Sequence, residues 1–182
     1  MKIGIAGVGG IGSNVAANLV RSGMANLKIV DFDRVEASNL NRQFYFHDQI
    51  GCLKVEALAE NLERIRPGLC LEGIAERLDA GNCPQLFADC DLIVEGLDQQ
   101  ADKKMLVEAF GDSRIVVSAC GIAGSELGTI RIRRLGTCCI VGDFITDCAH
   151  APLFAHKVAT VANYMTEFIL QQGAQYANTT TG

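Results

Sequence analysis

Lys2-Ile3-Gly4-Ile5-Ala6-Gly7-Val8-Gly9-Gly10-Ile11-Gly12 opens the chain and decides how the rest is read. Lys2 to Ala6 is a short apolar run of strand character, and a helical pattern runs from Ser13 to Arg21. The glycines between them match what a phosphate-binding turn needs. Gly7 allows a tight turn, Gly9 lets backbone N–H groups approach an anion, and Gly12 permits close packing of helix on strand. The N-terminus of the helix then offers unpaired N–H donors. Asp31 ends the next apolar run, Leu27 to Val30, where a ribose-binding carboxylate belongs in such a unit. A glycine-rich turn without a ligand is the alternative.

With 182 residues, 49% of them hydrophobic and 20% charged, the chain can bury one sizeable core. No apolar run approaches the roughly 20 residues of a spanning helix, so a cytoplasmic location is expected. A net charge of −5 argues against nucleic acid as a partner, because no broad positive field collects phosphates. The eight cysteines contain no C-x-x-C. Most of them read as small buried hydrophobes in a reducing compartment, and no zinc is expected.

Strands and helices alternate onward. Leu27 to Asp31 is a strand, and Phe32 to Ile50 is a polar loop whose length suggests function. Gly51 to Arg66 carries Val55, Leu58, Leu62 and Ile65 on one helical stripe and stops at Pro67-Gly68. Leu69 to Ile74 reads as a strand, Asn82 to Ala88 as a short helix and Asp91 to Glu95 as a central strand, with Gly96-Leu97-Asp98 at its carboxyl end. Lys103 to Phe110 is helical and Ile115 to Ser118 is another buried strand. Thr129 to Arg134 alternates, which predicts a half-exposed strand with Ile130 and Ile132 on one face and Arg131 and Arg133 on the other. Gly136-Thr137 turns it into Cys138 to Val141 as an antiparallel hairpin. Phe154 to Gln172 has helical spacing. The expected fold is α/β: a doubly wound, Rossmann-like mixed sheet, mainly parallel, with the hairpin and a closing helix at its C-terminal end. Residues 1–172 form one domain, and 173–182 form a polar tail that frays.

The long loop presents an acid pair, an asparagine, a guanidinium and an amide: Asp31-Phe32-Asp33-Arg34-Val35-Glu36-Ala37-Ser38-Asn39-Leu40-Asn41-Arg42-Gln43. Lys54 follows, so two cations lie downstream of the glycine loop, as a triphosphate would require. Asp98 stands where a carboxylate would meet Mg²⁺. Each also has an ordinary explanation: Arg42 as a surface charge, Lys54 as an i,i+4 helix partner, Asp98 as a helix cap.

Taken together, GVGGIG (7–12), DFDRVEASNLNRQ (31–43), GCLK (51–54) and EGLD (95–98) resemble the adenylyltransferases related to ubiquitin-activating enzymes, of the ThiF and MoeB type. SACGIAG (118–124) and PLFAHKVATVAN (152–163) extend the likeness over essentially the whole chain. The resemblance implies ATP-dependent adenylation of the C-terminal glycine carboxylate of a small ubiquitin-fold sulfur carrier ending in Gly-Gly, in thiamine (thiazole) or related sulfur-transfer biosynthesis, by a homodimer. It assigns the nucleotide to Gly7, Gly9, Gly10, Gly12, Asp31, Asp33, Asn39, Arg42, Gln43, Lys54 and Lys103. Arg42, Lys54 and Asp98 carry catalysis, with Mg²⁺ on Asp98.

The chain departs from that pattern in three places. Lys103 stands where the family has an arginine, keeping the charge without the bidentate fork. The chain is expected to lack the N-terminal extension that in the family brings an arginine into a partner's site. The family's paired C-x-x-C is absent. Cys148, in the crossing loop Gly142 to Pro152, sits beside His150 either as a reactive thiol or as an ordinary loop cysteine. Arg131, Arg133 and Arg134 are either a solvated face or a docking surface for an acidic carrier. Competing readings are a nicotinamide-dependent oxidoreductase, which leaves the SNLNRQ loop unexplained, a tRNA-modifying dehydratase of the same superfamily, and a non-catalytic nucleotide-binding module.

Overall fold

The computed structural model describes residues 1–180, with side chains described to Ala174. Strands β1 (Ile3–Ala6), β2 (Asn26–Val30), β3 (Cys70–Ile74), β4 (Leu92–Glu95), β5 (Ile115–Ala119), β6 (Arg131–Leu135) and β7 (Cys138–Gly142) form one sheet in the order β3-β2-β1-β4-β5-β7-β6. Every pairing is parallel except β6 on β7. The chain winds outward from β1 to β3, then returns to β4 on the other side of β1. That reversal opens a crevice at the carboxyl ends of β1 and β4, where doubly wound sheets place ligands.

Helices α1 (Gly10–Arg21), α2 (Lys54–Ile65) and α5 (Ala155–Thr180) cover one face of the sheet, while α3 (Cys83–Leu86) and α4 (Gln100–Phe110) cover the other. Alternate strand residues therefore enter two cores. Ile3, Ile5, Leu27 and Ile29 join Leu19, Leu58, Val158 and Met165. Ala6, Val30, Ile93 and Val116 join Phe87, Leu106 and Phe110. Phe87 and Phe110 meet edge to face at 6.2 Å, a geometry the ring quadrupoles favour.

Three expectations are corrected. β6 is exposed at all five positions rather than half-buried, with Ile132 at 45% and Leu135 at 65%. It is the outermost strand, and α5 packs over β5 and β7 instead. Its arginines rest on rings: Arg133 over Phe144 at 4.3 Å and Arg134 over Phe168 at 5.0 Å. Second, Cys52, Cys70, Cys120 and Cys148 are exposed, because they lie in loops, on the edge strand β3 or just past a strand end; only Cys83, Cys90, Cys138 and Cys139 are buried. Third, α5 continues through Thr180, beyond the helix end expected at Gln172; the rest of the expected tail, residues 181–182, lies outside the described residues. No helix among the described residues is long and apolar enough to cross a membrane.

Candidate functional site

The glycine loop leaves β1 at the crevice. Gly7 has φ +82°, and a Cβ there would come 2.8 Å from the carbonyl oxygen of Gly96, in the turn after β4. A side chain on Gly12 would collide with the Gly7 carbonyl. These two glycines are thus required by packing between β1, α1 and the β4 turn. Gly9 differs: a Cβ there would meet only the Gln43 Nε2, at 3.8 Å, so its outer side is open. α1 starts at Gly10 with no side-chain cap on its first N–H groups.

The loop from Asp31 to Tyr45 is pinned onto this turn. Asp31, following β2, accepts the Val8 N–H at 2.7 Å and the Asp33 N–H at 2.8 Å. Burial raises the Asp31 carboxyl above the ordinary range, against the opposing pull of the Asp33 N–H, Lys54 and the Val8 N–H. Tyr45 donates its hydroxyl to the Val8 carbonyl at 2.7 Å. Ser13 Oγ accepts the Phe44 N–H at 3.0 Å and donates to the Gly9 carbonyl at 2.6 Å. Asn14 Nδ2 bridges the carbonyls of Gly10 and Arg42 at 2.6 and 2.8 Å.

Among the residues the sequence singled out, the structure brings Gly9, Gly10, Arg42 and Gln43 together. The Arg42 stem passes Gly10, and the residue is half-buried, its guanidinium donating to the Ser38 carbonyl and the Asn41 amide oxygen at 3.0 and 2.7 Å. Gln43 has a buried Oε1 without a hydrogen-bond partner among the described residues. Asn39 turns inward: its Oδ1 accepts the Glu36 N–H at 3.1 Å, and its carbonyl accepts the N–H groups of Arg42 and Gln43. It shapes the loop. Lys54 is buried and donates to the half-exposed Asp33 at 2.8 Å, rather than to a helix partner one turn on.

Asp98 is exposed beyond the carboxyl end of β4. It does not cap a helix, since α4 begins at Gln100 with Gln99 before it and no side-chain cap bond. Lys103 spans both oxygens of Glu95, at 3.0 and 2.9 Å. In the sequence Glu95 reads as a plain strand end. It is fully buried, and it also accepts the Leu97 N–H at 2.7 Å and the Ser118 hydroxyl at 2.6 Å. The only signal was a carboxylate closing an apolar run, a residue type rarely buried unless paired.

A second buried pair escaped the sequence altogether. Lys157 of α5 donates to Asp143 at 2.6 Å and to the Ala123 carbonyl at 2.5 Å, tying the crossing loop to the segment after β5. Within that loop Cys148 is exposed, and His150 Nδ1 lies 3.9 Å from Asp147. A groove of about 590 Å³ between α1 and α5, lined by Asn18, Arg21, Asn163 and Glu167, lies off the crevice and includes none of the sequence-predicted residues.

The family model described as the ThiF family matches residues 1–169. The chain belongs to the ThiF family. Ubiquitin-like modifier-activating enzyme 5 of Drosophila grimshawi is 47% identical over 70 residues, a match covering 38% of this chain and 18% of that protein. Molybdopterin-synthase adenylyltransferase of Escherichia coli K12 is 26% identical over 189 residues, covering all of this chain and 76% of that one. Among solved structures, E. coli tRNA N6-threonylcarbamoyladenosine dehydratase, TcdA, in complex with AMP, superimposes with a TM-score of 0.83 at 19% identity, covering 95% of this chain and 87% of that one.

Proposed function

We propose that this ThiF-family chain adenylates the C-terminal carboxylate of a small ubiquitin-fold sulfur carrier ending in Gly-Gly, with ATP and Mg²⁺ as the nucleotide pair, and that it works in the cytoplasm as a homodimer. The observation that carries the reading is the convergence of the open Gly9–Gly10 turn, Asp31, Arg42, Gln43 and Lys54 at the carboxyl edge of β1 and β2. The adenylyltransferase names of relatives that align along the chain's length support the same chemistry.

In this reading Asp31 accepts the ribose hydroxyls, a natural complement to a buried carboxylate that so far has only backbone donors. The Gly9 and Gly10 N–H groups receive phosphate oxygens, and Arg42 and Gln43 flank them. Lys54 exchanges Asp33, which is half-exposed, for the phosphate chain. Asn39 acts by shaping the loop that carries Arg42. Lys103, committed to Glu95, supports the β4 turn.

A carrier carboxylate with a pKa near 3.5 is ionised at neutral pH and needs no base. Its oxygen forms a bond to the α-phosphorus while the bridge to the β-phosphorus breaks and pyrophosphate leaves. The protein's work is to hold an anion against a polyanion, by position and by neutralising charge. Asp98, exposed beyond the carboxyl end of β4, would hold Mg²⁺, an ion that commonly takes one or two protein carboxylates and completes its shell from substrate phosphates and water. When bound, the ion offsets phosphate charge.

ATP–pyrophosphate exchange, with and without a candidate Gly-Gly-ending carrier, tests the proposal. Exchange should depend on the carrier, and Asp98→Ala and Arg42→Ala should each abolish it with an unchanged circular dichroism spectrum. Near-normal exchange in either variant removes that residue from the mechanism. Exchange driven by modified tRNA instead would shift the substrate to the dehydratase class.

A further inference from the structure

The peptide between Val8 and Gly9 is held from one side only. Its carbonyl points into the protein and accepts the Tyr45 hydroxyl at 2.7 Å, and Tyr45 is only 5% exposed. The peptide is trans, so its N–H, which belongs to Gly9, points the opposite way. A Cβ built on Gly9 would meet only the Gln43 Nε2, at 3.8 Å, so the turn is uncrowded there. Among the described backbone hydrogen bonds, the Gly9 N–H donates to no carbonyl. We infer that Tyr45 is a positioning residue for the nucleotide's phosphates: its hydroxyl fixes the Val8–Gly9 peptide so that the Gly9 N–H faces the phosphate site.

Two further features support this role. A hydrogen bond to a carbonyl polarises the peptide and strengthens its N–H as a donor. The same residue registers the loop, because the Tyr45 N–H donates to the Gln43 carbonyl at 2.9 Å, and Gln43 Oε1 lies buried without a partner among the described residues. Burial, and then the charges of Asp31 and Asp33, hold the phenol protonated far above its usual range, so the hydroxyl remains a donor at any working pH.

The inference rests on the nucleotide reading above, and its test separates the two. Tyr45→Phe removes one oxygen. ATP and AMP should bind the variant about five- to tenfold more weakly, the worth of one hydrogen bond, while adenosine binding stays within about twofold. In the nucleotide-free protein, the Gly9 amide proton should move upfield in the NMR spectrum. Equal weakening of ATP and adenosine, an unchanged ATP affinity, or an unmoved Gly9 resonance would each overturn the role. Should Tyr45→Phe fail to fold, protein labelled with 3-fluorotyrosine, whose hydroxyl is the stronger donor, should move the Gly9 resonance downfield; no movement refutes the inference. Wild-type protein that bound no ATP would remove the nucleotide reading itself, whatever the Gly9 resonance did.

Discussion

Asp31 and Asp143 invite comparison. Each follows the carboxyl end of a parallel strand, β2 and β7, and they are 9% and 7% exposed. Asp143 is closed: it accepts Lys157 Nζ at 2.6 Å and the Ile145 N–H, the Thr146 N–H and the Thr146 hydroxyl, each at 2.8 Å. Burial by itself would raise its carboxyl, but these donors hold it below the ordinary range. Asp31 has two backbone donors and, among the described residues, no ion pair, because Lys54 bonds Asp33 instead, and burial leaves its carboxyl raised. Similar exposure with different partners separates a carboxylate closed by an ion pair and three further donors from one held by two backbone N–H groups.

The sharpest way to break the contrast is Lys157→Ala. It leaves Asp143 buried and unpaired, and urea denaturation should register a loss of about 3–5 kcal/mol. A loss under about 1 kcal/mol would mean that the pair anchors nothing. Asp31→Asn comes next. It should weaken ATP binding by roughly ten- to a hundredfold, the range for hydrogen bonds to a charged group. Stability of the free protein should stay within about 1 kcal/mol of wild type, because relief of a buried charge offsets the loss of one backbone acceptor. A large fall in stability would place Asp31 with Asp143 as an anchor.

The smallest effect is on the pH profile, and the two aspartates contribute with opposite signs. Asp143 has a lowered native pKa, so its contribution is complete above the unfolded value near 3.8 and is lost as pH falls below it. Asp31 has a raised native pKa, so its charge costs stability above that raised value, and acidification relieves the cost. Denaturation midpoints from pH 7 down to 3 should therefore show Asp31→Asn gaining on wild type toward neutral pH. The pair replacement Asp143→Asn with Lys157→Met should lose part of the acid sensitivity below pH 3.8. Parallel profiles in all three proteins would contradict the assigned shifts.

Much of the fold was legible in the sequence because its signals are local. The strand–glycine–helix succession from Ile3 to Arg21, the stripe of Val55, Leu58 and Leu62, and the Gly136-Thr137 turn all lie within a few residues of what they specify. Alternation misled at Ile132: a period of two tells that a strand has two faces, not whether a helix covers either of them. Near the crevice, glycine spacing marked the turn that leaves β1, and Asp31 the acid that follows β2. The pairings of the charged residues were invisible there: Lys54 holds Asp33, and Lys103 holds Glu95.

By itself the sequence determined the order of strands and helices, the glycine turn and the acid at the end of β2, since backbone freedom and apolar period are properties of short stretches. Only the tertiary structure decided that Tyr45 reaches Val8 across 37 positions, that Lys103 and Ser118 close on Glu95, and that Lys157 seals Asp143. Those contacts depend on which strand ends the winding of the sheet sets side by side, and a buried polar group takes whatever partner that juxtaposition supplies.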